Sequence, residues 1–276
     1  MKDAECVAFL QWALPRLGMR WPGFRRVRAQ ACKRIQRRMQ ELGCTDVGAY
    51  RRHLETHAGE WEVLDGLCRI TITRFYRDRR VFEVLLREVL PELARAAQAR
   101  GARSLRVWSA GCGSGEEPYT LSIGWQQVLA ARFPGLALDV LATDADPVLL
   151  QRAAAAEYGW SAVRNLPASW RETAFEHRDG SFRLHPAFRA PVRFLCHDVR
   201  TPPPESGFDL ILCRNLVFTY FEPDLQRRLA AEFREHLVPG GVLLLGVHET
   251  LPEGAPGYEV ISGRLALYRR PPPADA

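Results

Sequence analysis

The chain changes texture once, near residue 101. Before that point apolar positions recur at spacings of three and four; after it, short apolar runs alternate with helical stretches. Over 26–42 the apolar residues Val27, Ala31, Ile35, Met39 and Leu42 make one stripe of an amphipathic helix. Lys33, Arg34, Arg37 and Arg38 fall off that stripe, 33 over 37 and 34 over 38, one turn apart. Gly43 predicts a helix stop, and Asp46 a cap for the next short helix, which carries Tyr50 and Leu54. A further helix is expected over 61–68. Over 81–99 the row Val81, Leu85, Val89, Leu93 is helical again, with Pro91 inside it as a kink or divide.

Past Gly101, the runs LRVWSAG, LDVLATD, VRFLCHDV, FDLILCRN, GVLLLGV and RLALYRR read as strands. Helices are expected over 117–132, over VLLQRAAAAEY and over 224–237. This alternation predicts an α/β doubly wound sheet. The last strands arrive without a clear helix between them, which predicts an antiparallel edge. The stretch 160–191 fits neither period and is expected to form a small excursion. The expected organisation is a basic helical domain over 1–76, a connecting helix over 77–100, the α/β domain over 101–270 and a disordered tail over 271–276.

Composition narrows the class. With 47% hydrophobic and 25% charged residues among 276, the chain resembles an ordinary soluble globular protein with a sizeable core. No run approaches the ~18 uncharged apolar residues of a membrane span, and no signal peptide is read at the N-terminus, so no membrane insertion is expected. The seven cysteines are odd in number and include no C-x-x-C pair. That argues against a disulfide framework and a zinc site, and suits a metal-free protein of a reducing cytoplasm. The net charge of +6 is unevenly spread: ten basic residues and two acids lie from Arg20 to Arg52. Such a region suits an acidic partner (nucleic acid, membrane surface or acidic protein), or is simply a solvated helix face.

The strongest chemical signal is VWSAGCGSGEEPYTL, an apolar strand running into Gly111-Cys112-Gly113-Ser114-Gly115 just before a helix. Glycines there let backbone approach a ligand, and the helix start favours an anion. NAD enzymes, methyltransferases and plain tight turns share such spacing. Asp144, at the end of the next strand, can accept both hydroxyls of a ribose or cap a helix. Asn215 ends a further strand, at the sheet edge where ligands of open α/β folds bind. Three strand ends finishing in small or polar residues describe one crevice.

With these residues in view, the chain resembles the chemotaxis receptor methyltransferase (CheR) family over about 20–268. The likeness rests on the basic stretch from Lys33 to Met39, TITRFYRD at 71–78, VWSAGCGSGEEPYTL at 107–121, ATDAD at 142–146, CRN at 213–215, TYF at 219–221 and PGGVLLLGVHE at 239–249. The resemblance implies a Rossmann-like domain binding S-adenosylmethionine (SAM), with S-adenosylhomocysteine as product. It implies that Thr73 and Arg77 reach over SAM, Arg77 pairing with its carboxylate or orienting an acidic substrate. A surface ion pair of Arg77 with Asp78 or Glu83 is the plainer alternative. It further implies Gly111 and Glu117 at the amino-acid end, Asp144 on the ribose, Asp198, Val199, Asn215 and Leu216 around the adenine, and Tyr220 on the substrate side. Lys33, Arg34, Arg37 and Arg38 would then attract an acidic receptor helix.

The chain also departs from the family pattern. Thr71 stands where asparagine is usual, which alters one SAM contact. CRNLVFTYF is one residue longer than C-R-N-x-x-x-Y-F, which moves Tyr220 relative to Asn215. GVHE replaces G-H-S-E, leaving His248 as a base for an amine or thiol, or as a hydrogen-bonded structural histidine. Two other readings therefore stand beside a protein-glutamate methyltransferase. One is a same-fold enzyme acting on a small molecule or another protein at N, S or O; the other is a non-catalytic SAM-binding regulator. A nucleic-acid methyltransferase ranks lower, because no N-P-P-Y-like motif is present and few aromatics interleave the arginines.

Overall fold

The computed structural model describes residues 1–255 and 257–272; the tail expected at 271–276 lies outside them except for its first two residues. The described chain forms two compact units, one of Met1–Thr71 with Leu216–Gln226 and one of Ile72–Asn215 with Arg227 onward.

In the first unit, helices α1 (Asp3–Ala13), α2 (Trp21–Phe24), α3 (Arg28–Glu41), α4 (Val47–Thr56) and α5 (Gly59–Cys68) bury Phe9, Leu10, Leu14, Phe24, Ile35, Tyr50 and Leu64. The stripe on α3 points inward through Ala31, Ile35 and Met39. Gly43 follows it in the left-handed region, and the Asp46 carboxylate accepts from the Ala49 N–H at 2.8 Å to cap α4. One expectation fails here. Cys6 on α1 and Cys32 on α3 form a disulfide with their Cα atoms 5.9 Å apart. The pairing depends on α1 packing against α3, which an odd cysteine count and missing C-x-x-C pair do not reveal.

The second unit opens with α6 (Arg79–Val84), which continues through a wide π-helical turn at Leu85–Val89 into α7 (Leu90–Ala99). Pro91 therefore lies inside a continuous helix, two residues past the wide π-helical turn that breaks the regular hydrogen-bond ladder there. Strand β1 (Ser104–Ala110), α8 (Glu116–Gly124), β2 (Ala137–Asp144) and α9 (Pro147–Ala155) follow. The excursion holds β3 (Glu157–Tyr158), α10 (Trp160–Val163), α11 (Ala168–Ala174), β4 (Phe175–Arg178), β5 (Ser181–Leu184) and α12 (Pro186–Arg189). Its three strands form a separate sheet in the order β3-β5-β4. Residues 157–158, expected to end a helix, instead open that sheet, because Ala156 turns left-handed (φ 54°) and ends α9.

Next come β6 (Val192–Cys196), β7 (Phe208–Cys213), the short helix α13 (Val217–Tyr220) of the first unit, α14 (Pro223–His236), β8 (Leu237–Leu245), β9 (Glu259–Ser262) and β10 (Leu267–Arg269). The main sheet runs β6-β2-β1-β7-β8-β10-β9. The first five strands are parallel, and β10 lies antiparallel to both β8 and β9, giving the expected antiparallel edge plus one strand, β9, that the pattern does not announce. The strand order reverses at β1 and β7. Ligands of open α/β sheets bind outside the carboxyl ends at such a switch point. The carboxyl ends of the parallel strands β6, β2, β1 and β7 therefore lie at one edge of the sheet.

Candidate active site

The turn after β1 is built for close approach. Gly111, Gly113 and Gly115 have φ of 80°, 58° and 91°, values that a Cβ would strain. At Gly115 a Cβ would also meet that of Ala153 at 2.9 Å. The Gly111 and Cys112 N–H groups donate to the Thr143 carbonyl at 2.8 and 2.9 Å, tying this turn to β2. Asp144, the last residue of β2, accepts from the Gly113 N–H and the Asp146 N–H, each at 2.9 Å. Its carboxylate is half-buried at the strand tip. Burial, with the nearby charges of Asp144 and Glu117, pushes the Cys112 thiol well above its ordinary range, so it stays protonated and is no nucleophile.

Glu117, in the first turn of α8, accepts from the Ser109 hydroxyl at 2.9 Å and from Arg214 at 3.0 Å. Arg214 also donates to Asp78 at 2.6 Å, and its side chain is only 2% exposed. Its Nε is buried without a hydrogen-bond partner among the described residues. Neither Arg214 nor Asp78 stood out in the sequence as a site residue, although Arg214 sits inside the CRN tripeptide. Arg77 forms neither of the ion pairs that were its alternative: Asp78 goes to Arg214, and Glu83 pairs with Arg79 at 2.7 Å. The Arg77 guanidinium donates to the Ile72 carbonyl at 2.5 Å, which leaves its charge without an acidic partner among the described residues. Thr73 and Ser114 face the Glu116 carboxylate; burial pushes that carboxyl above its ordinary range, and these hydroxyls offset the effect in part.

Asp198 and Val199 follow the tip of β6. The Asp198 carboxylate accepts from the Arg200 Nε at 2.9 Å and another guanidinium nitrogen at 2.6 Å, while Val199 is buried. Asn215, beyond the tip of β7, is left-handed (φ 58°), and its N–H donates to Glu249 at 2.8 Å. The same buried carboxylate accepts from the Gly246 N–H at 2.6 Å, so Glu249 clasps the ends of β7 and β8. His248 is exposed and makes no hydrogen bond among the described residues, so it is not the hydrogen-bonded structural histidine of the sequence reading.

Thr71, Leu216 and Tyr220 belong to the helical unit. There the Tyr220 ring meets Phe24 edge-on, with centroids 5.1 Å apart, and Phe218 and Phe221 are buried core aromatics. Of the four cations on α3, Arg38 is drawn inward and forks onto Glu60 at 2.9 and 2.8 Å. Glu60 in turn accepts from the buried Tyr50 hydroxyl at 2.9 Å. Arg38 is thus a structural residue. Lys33, Arg34 and Arg37 remain exposed, Arg34 donating to the Arg69 carbonyl and Arg37 pairing loosely with Glu41 at 3.2 Å.

Chemically, the site brings the Asp144 carboxylate onto the glycine turn, with the Glu117 carboxylate against the strand that leads into it, both of them acceptors for hydroxyl or ammonium donors. Comparison with known proteins points the same way. The CheR methyltransferase SAM-binding domain matches residues 71–266, and the CheR all-alpha domain matches 28–64. A chemotaxis protein methyltransferase of Listeria monocytogenes is 36% identical over 204 residues, covering 74% of each chain. Chemotaxis protein methyltransferase 1 of Pseudomonas aeruginosa is 32% identical over 235 residues, 83% of this chain and 84% of that one. The Escherichia coli chemotaxis protein methyltransferase is 31% identical over 227 residues, 78% and 74% of the two chains. On this similarity, carried through both of its domains, the chain belongs to the CheR methyltransferase family and is a SAM-dependent methyltransferase.

Proposed function

We propose that the enzyme methylates a glutamate carboxylate on an acidic helical segment of a chemotaxis-type receptor. The observation that carries this reading is the row of exposed cations on α3, Lys33, Arg34 and Arg37, on a chain whose relatives are named chemotaxis protein methyltransferases. In this reading Asp144 holds the ribose hydroxyls, Glu117 the amino group and Arg77 the carboxylate of SAM. Asp198, Val199 and Asn215 border the adenine. Thr73 steadies the segment that carries Arg77 by facing Glu116. Thr71 and Leu216 keep the cofactor roles, and Tyr220 the acceptor-side role, that the family likeness implies.

SAM supplies a methyl group on a sulfonium, displaced in line with a neutral thioether leaving. A glutamate acceptor needs no general base, because with an ordinary pKa of about 4.3 it is ionised at neutral pH. An anion and a cation become two neutral products, so charge disperses on the way to the transition state. The protein's contribution is alignment and exclusion of water rather than proton transfer. The exposed His248, with no hydrogen-bond partner among the described residues, fits this base-free reading.

The test is methyl incorporation from labelled SAM into receptor-bearing membranes. Base-labile label in receptor protein is the expected result. Base-stable label on a metabolite, or SAM binding without turnover on any acceptor, would overturn it.

A further inference from the structure

Within the helical unit, the segment that carries Tyr220 is held by residues 18–24. Three successive carbonyls of that segment are taken. The Arg20 guanidinium donates to the carbonyls of Phe218 and Thr219, the latter at 3.2 Å from Nε, and the Arg20 backbone N–H donates to the Tyr220 carbonyl at 2.8 Å. Glu222 N–H donates back to the Gly18 carbonyl at 2.9 Å, and Met19 forms a β-bridge with Phe221. Gly23 closes the contact from the other side: a Cβ there would sit 2.3 Å from the Thr219 carbonyl oxygen and 3.1 Å from the Tyr220 ring. Phe24 then meets the Tyr220 ring edge-on.

A buried carbonyl can be satisfied in many ways, but one planar fork reaching two neighbouring carbonyls fixes their relative orientation. Here the fork fixes the turn from which the Tyr220 side chain springs. We propose that Arg20 and Gly23 are positioning residues for Tyr220: the stretch before α3 sets the acceptor-side tyrosine, and so the rate of methyl acceptance, without affecting SAM binding. This rests on the reading of Tyr220 as an acceptor-side residue.

The experiment compares Arg20→Lys, Gly23→Ala, Tyr220→Phe and the double variant Arg20→Lys/Tyr220→Phe in the full chain. Turnover is read on receptor-bearing membranes and SAM affinity by calorimetry. Lysine keeps the charge and the stem but is a single point donor, and the backbone N–H bond of residue 20 remains, so folding should persist; thermal melting of the helical unit reports on it. The expected result is a tenfold or greater fall in kcat for Arg20→Lys and Gly23→Ala, with SAM affinity within twofold of the parent. The double variant should be no slower than Tyr220→Phe alone, because both changes act through one side chain. Normal kcat in Arg20→Lys and Gly23→Ala, beside a slow Tyr220→Phe, would overturn the positioning role alone. So would effects that multiply in the double variant. An unimpaired Tyr220→Phe, or membranes that accept no methyl from the parent enzyme, would overturn the reading beneath it and the proposal with it.

Discussion

Arg214 donates to the Glu117 carboxylate at 3.0 Å, although the two residues lie 97 positions apart. The same guanidinium reaches Asp78, and a buried cation between two acids holds the tip of β7, the first turn of α8 and the segment before α6 in one arrangement. Removing one partner of such a buried pair strands the other charge, at a cost of about 3–5 kcal/mol. Arg214→Met should therefore unfold at clearly lower urea and bind SAM at least tenfold more weakly. Arg214→Lys should regain stability but little affinity, since a point donor does not bridge both acids. Normal SAM binding by the methionine variant would reduce the cluster to a structural role.

Asp144 both braces the glycine turn and, in the reading above, grips the ribose. Hydrogen bonds to a charged group contribute about 1.5–3 kcal/mol. Asp144→Ala should accordingly weaken SAM binding by roughly 10- to 100-fold, with the circular dichroism of the sheet unchanged. Unchanged affinity in calorimetry would show that the sugar is held elsewhere.

Arg38 holds the Glu60 carboxyl below its ordinary range, with the Tyr50 hydroxyl assisting. A carboxylate depressed in the folded state stabilises the fold above the ordinary pKa, and that stabilisation is lost as pH falls through the depressed value. The stability advantage of the parent over Arg38→Met should thus be constant near neutrality and shrink below about pH 4. Thermal melts across that window measure it; a gap that widens on acidification would contradict the pairing.

The two ends of the Cys6–Cys32 bridge are 26 residues apart in sequence. Closing a loop of that size constrains the unfolded chain by about 3.5 kcal/mol. Reductant, or Cys6→Ser with Cys32→Ser, should lower the melting temperature of the helical unit and leave SAM affinity alone. An identical melting curve with and without reductant would mean that the thiols are free in solution.

On α3 the exposed cations, not Arg38, are the ones available to an acidic partner. Lys33→Glu with Arg37→Glu should depress activity on receptor membranes, chiefly through KM, while SAM affinity holds. The parent's activity on that acceptor should also weaken as salt rises. Equal activity of parent and variant at low salt would make this face a solubility feature.

What the chain announced by itself was local. The α3 stripe, the Asp46 cap and the stop at Gly43 are written within one or two helical turns, where periodicity and capping chemistry act directly. The same holds for the glycine turn and for Asp144, because an apolar run ending in a small or acidic residue marks a strand tip whatever lies beside it. The family likeness added roles to those positions without supplying any contact.

Folding decided the pairings. Arg214 with Asp78 and Glu117, Arg38 with Glu60, Arg20 with the carbonyls before Tyr220, and Cys6 with Cys32 join residues from 22 to 199 positions apart. The sheets hid their minor members as well. β9 is four residues long and mostly exposed, and β3, β4 and β5 are short strands of mixed burial, so no alternation marks them. A hydrophobic period reports which way a side chain faces along its own element. The partner it meets there depends on which distant element packs opposite, and that is fixed only when the whole chain has buried its apolar surface.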